Sequence, residues 1–187
     1  MKKILVTAFE PFLDHKENTS MFILNLLPNH SEHVKLSTCV LPVVYQEAFD
    51  QLKTLLDDAI YDGICLLGLA ANRKQISFEH IALNIQHTRF SDNKGNAPHH
   101  QTIIHDAPMV LKTTVDIHHI PKYFESSYHA GTFVCNELYY RTLHYFENTS
   151  KKTKVCFIHV PHHDENHPEN NLKTLAKHIE TFIQTAF

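Results

Sequence analysis

Ile64-Cys65-Leu66-Leu67-Gly68-Leu69 is an almost unbroken apolar run, set off on its N-terminal side by Asp62-Gly63. A short run of this kind after a turn signal reads as a strand buried on both faces, as strands of parallel sheets are. Immediately upstream, residues 45–60 place Ala48, Leu52, Leu55, Leu56 and Ile60 at helical spacing with Asp, Gln and Lys between them. That pattern predicts an amphipathic helix. Further back, residues 34–41 read as a strand closed by Pro42. Asn18-Thr19-Ser20 offers caps for a helix carrying Met21, Phe22, Leu24 and Leu26, which Pro28 and Asn29 end. Residues 3–9 form the first core strand, which leaves through Glu10-Pro11-Phe12. The order β-α-β-α-β specifies an α/β fold with a mostly parallel sheet and helices on its faces.

Downstream the pattern is less regular. Residues 76–90 read as extended, 91–96 as a turn cluster, and 101–104 and 109–115 as short strands or loop. Residues 120–126 suggest a short helix starting near Pro121. Gly131 introduces a longer helix through about residue 146, with Leu138, Leu143 and Phe146 on one side. Residues 154–160 form a strand ended by Pro161. His167-Pro168 starts a final helix in which Leu172, Leu175, Ala176, Ile179, Phe182 and Ile183 repeat at helical spacing. No internal repeat or long linker interrupts the 187 residues, so one domain spanning 1–187 is expected.

Composition removes whole classes of function. With 43% hydrophobic and 20% charged residues the chain is too apolar for a disordered protein. A domain of this size buries roughly 70% of its unfolded surface and needs no disulfide or metal to fold. No run approaches a membrane span of about 18 apolar residues. The start, Met1-Lys2-Lys3-Ile4-Leu5-Val6, lacks the apolar stretch of a signal peptide. Four cysteines far apart, without a CxxC, fit a reduced, cytoplasmic setting. The 17 Lys and Arg residues are scattered and the net charge is −3, so neither nucleic acid nor a membrane surface is expected as a partner. The unusual number is 17 histidines, enough to erase the negative charge near pH 6.

Chemistry concentrates in three places. Cys39, Cys65 and Cys156 lie in strands and read as small buried hydrophobes. Cys135 follows Ala130-Gly131-Thr132-Phe133-Val134 and sits near a helix N-terminus. That end carries partial positive charge and unpaired N–H groups, which favour a thiolate and can form an oxyanion hole. His159 stands at the C-terminal end of a predicted strand, the sheet edge where ligands collect in open α/β folds. Its plainer reading is a hydrogen-bonded core histidine. Glu79, on the alternation of Ile81, Leu83 and Ile85, is a carboxylate among apolar side chains and requires a partner. That partner is either an arginine, Arg73 or Arg89, in a structural ion pair, or an imidazole in a nucleophile-base-acid set. His162-His163-Asp164-Glu165-Asn166-His167 resembles a ligand run but matches no zinc spacing. No functional metal and no cofactor is expected, although adventitious nickel or zinc could bind there. GxGxxG, GxxxxGK and GxSxG are absent, which argues against nucleotide binding and serine hydrolase chemistry.

Seven stretches, in order, resemble one family. Val6-Thr7-Ala8-Phe9-Glu10-Pro11-Phe12 is similar to VTGFEPFGG, and Val40-Leu41-Pro42-Val43 to VLPV. Leu67-Gly68-Leu69-Ala70 with Arg73 is similar to GLAxGR, and Glu79-His80-Ile81-Ala82-Leu83-Asn84 to ERIAxN. Arg89 with Asp92-Asn93-Lys94-Gly95 resembles ARIPDNxG. Ala130-Gly131-Thr132-Phe133-Val134-Cys135-Asn136 resembles AGxYxCN, and Phe157-Ile158-His159-Val160-Pro161 resembles FIHVP. Each stretch is weak alone, but the ordered set resembles the pyroglutamyl peptidase I (pyrrolidone-carboxylate peptidase) family of cysteine peptidases.

The resemblance implies a three-layer α/β/α sandwich, often homotetrameric, that hydrolyses N-terminal pyroglutamate from peptides. It places the nucleophile on Cys135, the base on His159 and the acid on Glu79. It further implies that Phe9, Phe12, Phe133 and Val134 line a lactam slot, that Arg89 lies near the oxyanion, and that Asn18 follows the first loop. The alternatives are an amidase of the same fold acting on another small acyl group, and a non-catalytic pyroglutamyl-binding protein. The sequence departs from the family pattern at Ala8, Leu13, Asp14, Ala71-Asn72, His80, His87 and Tyr128.

Overall fold

The computed structural model describes all of residues 1–187 except Asp14, Glu32 and Ser150. Strand β1 (Lys2–Phe9) lies between β2 (Val34–Leu41) and β3 (Gly63–Leu69), both parallel to it. On the far side of β3, β8 (Lys154–Val160) adds a fourth parallel strand, with Gly68 in register with His159. Two three-residue strands then extend the edge. β4 (Ser77–Glu79) runs antiparallel to β8, and β7 (Glu125–Ser127) runs parallel to β4. The sheet order β2-β1-β3-β8-β4-β7 is therefore mixed and mostly parallel. A separate antiparallel pair joins β5 (Ile81–Leu83) to β6 (Val110–Lys112).

Side-chain alternation sorts the core into two apolar layers. Ile4, Val6, Ala8, Cys65, Leu67, Cys156 and Ile158 face α1 (Thr19–Leu26) and α4 (Leu172–Ala186). Leu5, Phe9, Ile64, Leu66, Val155 and Phe157 face α2 (Glu47–Asp58) and α3 (Val134–Glu147). The result is the expected three-layer sandwich. Each large side chain so buried contributes about 1.5–3 kcal/mol, and every residue of β3 is buried, so this strand anchors both layers.

The structure corrects several expectations. Residues 120–126 are not a helix: a turn closed by the Phe124 N–H on the Pro121 carbonyl leads into β7. β7 is polar, and main-chain bonds define it, from the Glu125 N–H to the Ile76 carbonyl and from the His80 N–H to the Ser127 carbonyl. The last helix begins at Leu172 rather than at His167-Pro168, because the Asn171 side chain accepts the Lys173 N–H and caps it there. Glu79 and Ile81 do not share one strand face, since β4 and β5 belong to different sheets. Cys39 is only half-buried, on edge strand β2, whereas Cys65 and Cys156 are buried neighbours in register.

Candidate active site

The chain leaves β1 for α1 on one face of the sheet and leaves β2 for α2 on the other. Such a reversal opens a crevice at the carboxyl ends of the strands. Into this edge α3 delivers its N-terminus. Phe133 is its N-cap and makes no side-chain capping bond. The Asn136 and Glu137 N–H groups both reach the Phe133 carbonyl, while those of Val134 and Cys135 have no main-chain partner among the described residues. Two donors therefore remain available beside the Cys135 sulfur. Buried Asn136 fixes this first turn: its amide accepts from the Leu83 N–H and donates to the Leu83 and Ile85 carbonyls.

Strand parity places the other groups on the same face. Phe157 points toward α3, so His159, two residues on, does as well. Glu79 is opposite Phe157 in the antiparallel β4–β8 pair. The His159 Nδ1 lies 2.7 Å from Glu79 Oε1. An ionised carboxylate only accepts, so Nδ1 carries the hydrogen and Nε2 is left as an acceptor. Arg73 Nη1 lies 2.7 Å from the same Oε1, and its Nη2 donates to Ser127 Oγ at 3.1 Å. The fully buried Glu79 thus offsets part of its desolvation cost with a guanidinium and an imidazole on Oε1, while its buried Oε2 has no partner among the described residues. Tyr139 of α3 adds a bond to the Glu79 carbonyl at 3.1 Å.

Gly68 explains how the sulfur fits. A Cβ on this residue would lie 3.0 Å from Cys135 Sγ and 2.8 Å from Phe157 Cζ. Its missing side chain is the seat of the thiol, beside His159 in the next strand.

The electrostatics differ from the expectation of a preformed thiolate. Burial, reinforced by the Glu79 charge, pushes the Cys135 thiol up to about 12, against smaller opposing effects of its own N–H and Arg73. Burial also lowers the His159 pKa from 6.5, with Arg73 adding to it and the bond to Glu79 opposing. The resting pair is therefore neutral thiol and neutral imidazole. Desolvation outweighs the helix N-terminus here.

The other candidate residues separate into three groups. Phe12 and Phe133 pack with ring centroids 6.1 Å apart, and Tyr45, not foreseen, meets Phe133 edge-on at 5.6 Å. Phe9 and Val134 are fully buried core residues. Asn18 is also fully buried. It accepts the Ser20 N–H and hydroxyl and donates to the Glu10 carbonyl, so it caps α1 and pins the exit from β1. Arg89 is exposed, near His87, with no bond to Cys135, His159 or Glu79 among the described residues. The arginine at the centre is Arg73.

The departures from the family pattern have local answers. Leu13 takes a left-handed φ of 52°, a strain of about 1 kcal/mol for a residue with a Cβ. Asp14 lies outside the described residues. His80 and Tyr128 stack on each other at 5.6 Å. A groove of about 760 Å³ opens beside them, lined by Arg73, Ser127, Tyr128 and His129 among others.

The sequence model of the pyroglutamyl peptidase family matches residues 2–180. The chain belongs to the pyroglutamyl peptidase family. A relative named pyrrolidone-carboxylate peptidase from Thermosipho melanesiensis is 34% identical over 168 residues, covering 85% of this chain and 82% of its own. One of the same name from Thermococcus kodakarensis is 32% identical, covering 99% and 96%. Among solved structures, pyroglutamyl peptidase I from Bacillus amyloliquefaciens aligns with a TM-score of 0.91 at 27% identity, over 100% of this chain and 97% of that one. Pyrrolidone carboxyl peptidase from Thermococcus litoralis also gives 0.91, at 30% identity over 100% and 93%. The pyroglutamyl peptidase fold thus extends over the whole chain.

Proposed function

We propose that this chain, acting as one catalytic domain over residues 1–187, is a cysteine peptidase that removes N-terminal pyroglutamate from peptides through Cys135, His159 and Glu79. The carrying observation is the buried Glu79–His159 contact of 2.7 Å, which leaves Nε2 as a base on the face that holds the Cys135 sulfur. Family membership supports the substrate.

The reaction starts from the neutral pair. His159 Nε2 takes the Sγ proton as sulfur attacks the carbonyl that links pyroglutamate to the next residue. The Val134 and Cys135 N–H groups receive the oxyanion. The imidazolium, stabilised by Glu79, protonates the leaving amine, and the C–N bond breaks. Water, deprotonated by His159, then releases pyroglutamate from the thioester and regenerates the thiol. Phe12, Phe133 and Tyr45 supply flat apolar surface for a lactam ring that offers no charged amine.

No described helix is long and apolar enough to cross a membrane. A cytoplasmic setting is part of this reading, supported by four free cysteines, two of them buried neighbours. So is a homo-oligomer, for which exposed Phe90 and Met109 are candidate contacts. The test is hydrolysis of a pyroglutamyl coumarin amide, with free pyroglutamate identified by mass spectrometry. Release that iodoacetamide stops and a chelator does not is expected. Release abolished by chelator alone, or none from folded protein, contradicts the reading.

A further inference from the structure

Outside this site, His87 and the adjacent pair His99-His100 converge across a short loop. The segment after β5 returns on itself. The Gln86 N–H donates to the Gln101 carbonyl at 2.8 Å, the Gln101 N–H to the Gln86 carbonyl at 3.0 Å, and the Thr88 N–H to the Pro98 carbonyl at 3.1 Å. This clamp sets His87 against His99 and His100. The rings of His87 and His100 stack at 4.1 Å, and His99 meets them edge-on at 4.8 and 4.5 Å. One ring nitrogen from each lies within 4.8 Å of the others.

Like side chains gathered this closely would repel if protonated. The His87 Nδ1 is shielded from solvent and has no hydrogen-bond partner among the described residues. A buried polar atom of this kind calls for a ligand. His100 is held at φ 50°, a conformation a β-carbon disfavours, which turns its ring onto His87.

We propose that His87, His99 and His100 form a binding site for a divalent transition-metal cation of the zinc type. Three imidazoles suit zinc, copper or nickel and leave an exchangeable fourth position for water. At zinc–nitrogen distances of about 2.0–2.1 Å, tetrahedral nitrogens stand about 3.3 Å apart. Rotation of the exposed His99 and His100 side chains closes that gap. The site is anchored near the catalytic segment: the His87 N–H donates to the Thr132 carbonyl at 3.0 Å, and the Thr132 hydroxyl to the His87 carbonyl at 2.6 Å. Thr132 is three residues before Cys135. In the run His162 to His167 the imidazoles are engaged separately, His167 Nδ1 lying 2.6 Å from Asp164 while the His162 ring packs on His15 and the His163 ring on Phe22.

The test is calorimetric titration of Zn²⁺ into the full, tag-free chain with thiols blocked by iodoacetamide. Co²⁺ absorption spectra report coordination geometry. One tightest site per chain is expected, with tetrahedral cobalt bands. A His99→Gln, His100→Gln double variant should bind at least about tenfold more weakly. A His162→Gln, His167→Gln variant should leave that site unchanged. Melting in metal-free buffer checks that both variants fold. The proposal is overturned if the wild-type chain binds no zinc at about 100 μM, a concentration far above the affinities of structural zinc sites. It is equally overturned if the first double variant keeps its affinity or if the second loses the tightest site.

Discussion

Two helices begin at the same edge of the sheet, and they begin differently. At α1, Asn18 turns its carboxamide oxygen onto the Ser20 N–H and hydroxyl, closing the helix start on itself. At α3, Phe133 supplies no side-chain cap, and the Val134 and Cys135 donors have no main-chain partner among the described residues. Capping stabilises a helix by roughly 1 kcal/mol. Its omission at α3, beside a cysteine and opposite a Glu79–His159–Arg73 cluster, trades stability for open donors. The closed start holds the fold together, and the open one serves chemistry.

Short of removing the nucleophile itself, the largest effect expected from this contrast is on the charge opposite the open start. Glu79→Gln should lower kcat by about 10²–10⁴-fold through loss of imidazole orientation and imidazolium stabilisation. It should also lower stability by about 1–3 kcal/mol, because partly buried Arg73 loses its charged hydrogen-bond partner. Steady-state kinetics and urea denaturation measure the two. Gly68→Ala tests the seat of the sulfur. A Cβ 3.0 Å from Sγ must displace it, and about a 10²-fold loss of kcat with smaller change in KM is expected.

The pH profile comes next. His159 must be neutral to accept the thiol proton, and its pKa lies below 6.5. The rate should therefore hold as pH falls to 6.5, then decline about tenfold per unit once pH passes below that pKa. A kcat/KM profile whose acid limb begins above 7 would disagree. The smallest kinetic effect belongs to the closed start. Asn18→Ala should cost about 1–2 kcal/mol in thermal or urea unfolding, with kcat within a few-fold of wild type.

Legibility in the sequence followed how locally each feature is determined. The run at Ile64 to Leu69 and the helical spacing of Ala48, Leu52 and Leu56 are local patterns, and both elements appear. The short polar strand at Glu125 to Ser127 carries no such pattern, since its main-chain bonds to residues 76–80 create it. Glu79 could be read because a carboxylate among apolar residues demands a partner. Both Arg73 and His159 meet that demand on one oxygen, which no local reading reveals. Arg89 is placed near the centre by the family resemblance alone; the structure shows it exposed, and the arginine bonded to Glu79 is Arg73. Gly68 was legible only as part of a strand. Its role depends on a helix arriving from 67 residues further along the chain.

The central claim is that the uncapped start of α3 presents the nucleophile. Its most direct test is kcat/KM on a pyroglutamyl coumarin amide for wild type and Cys135→Ser, with circular dichroism confirming a common fold. The account predicts a loss of about 10⁴-fold or more, with the fold unchanged. Activity within tenfold of wild type in the folded variant would contradict it.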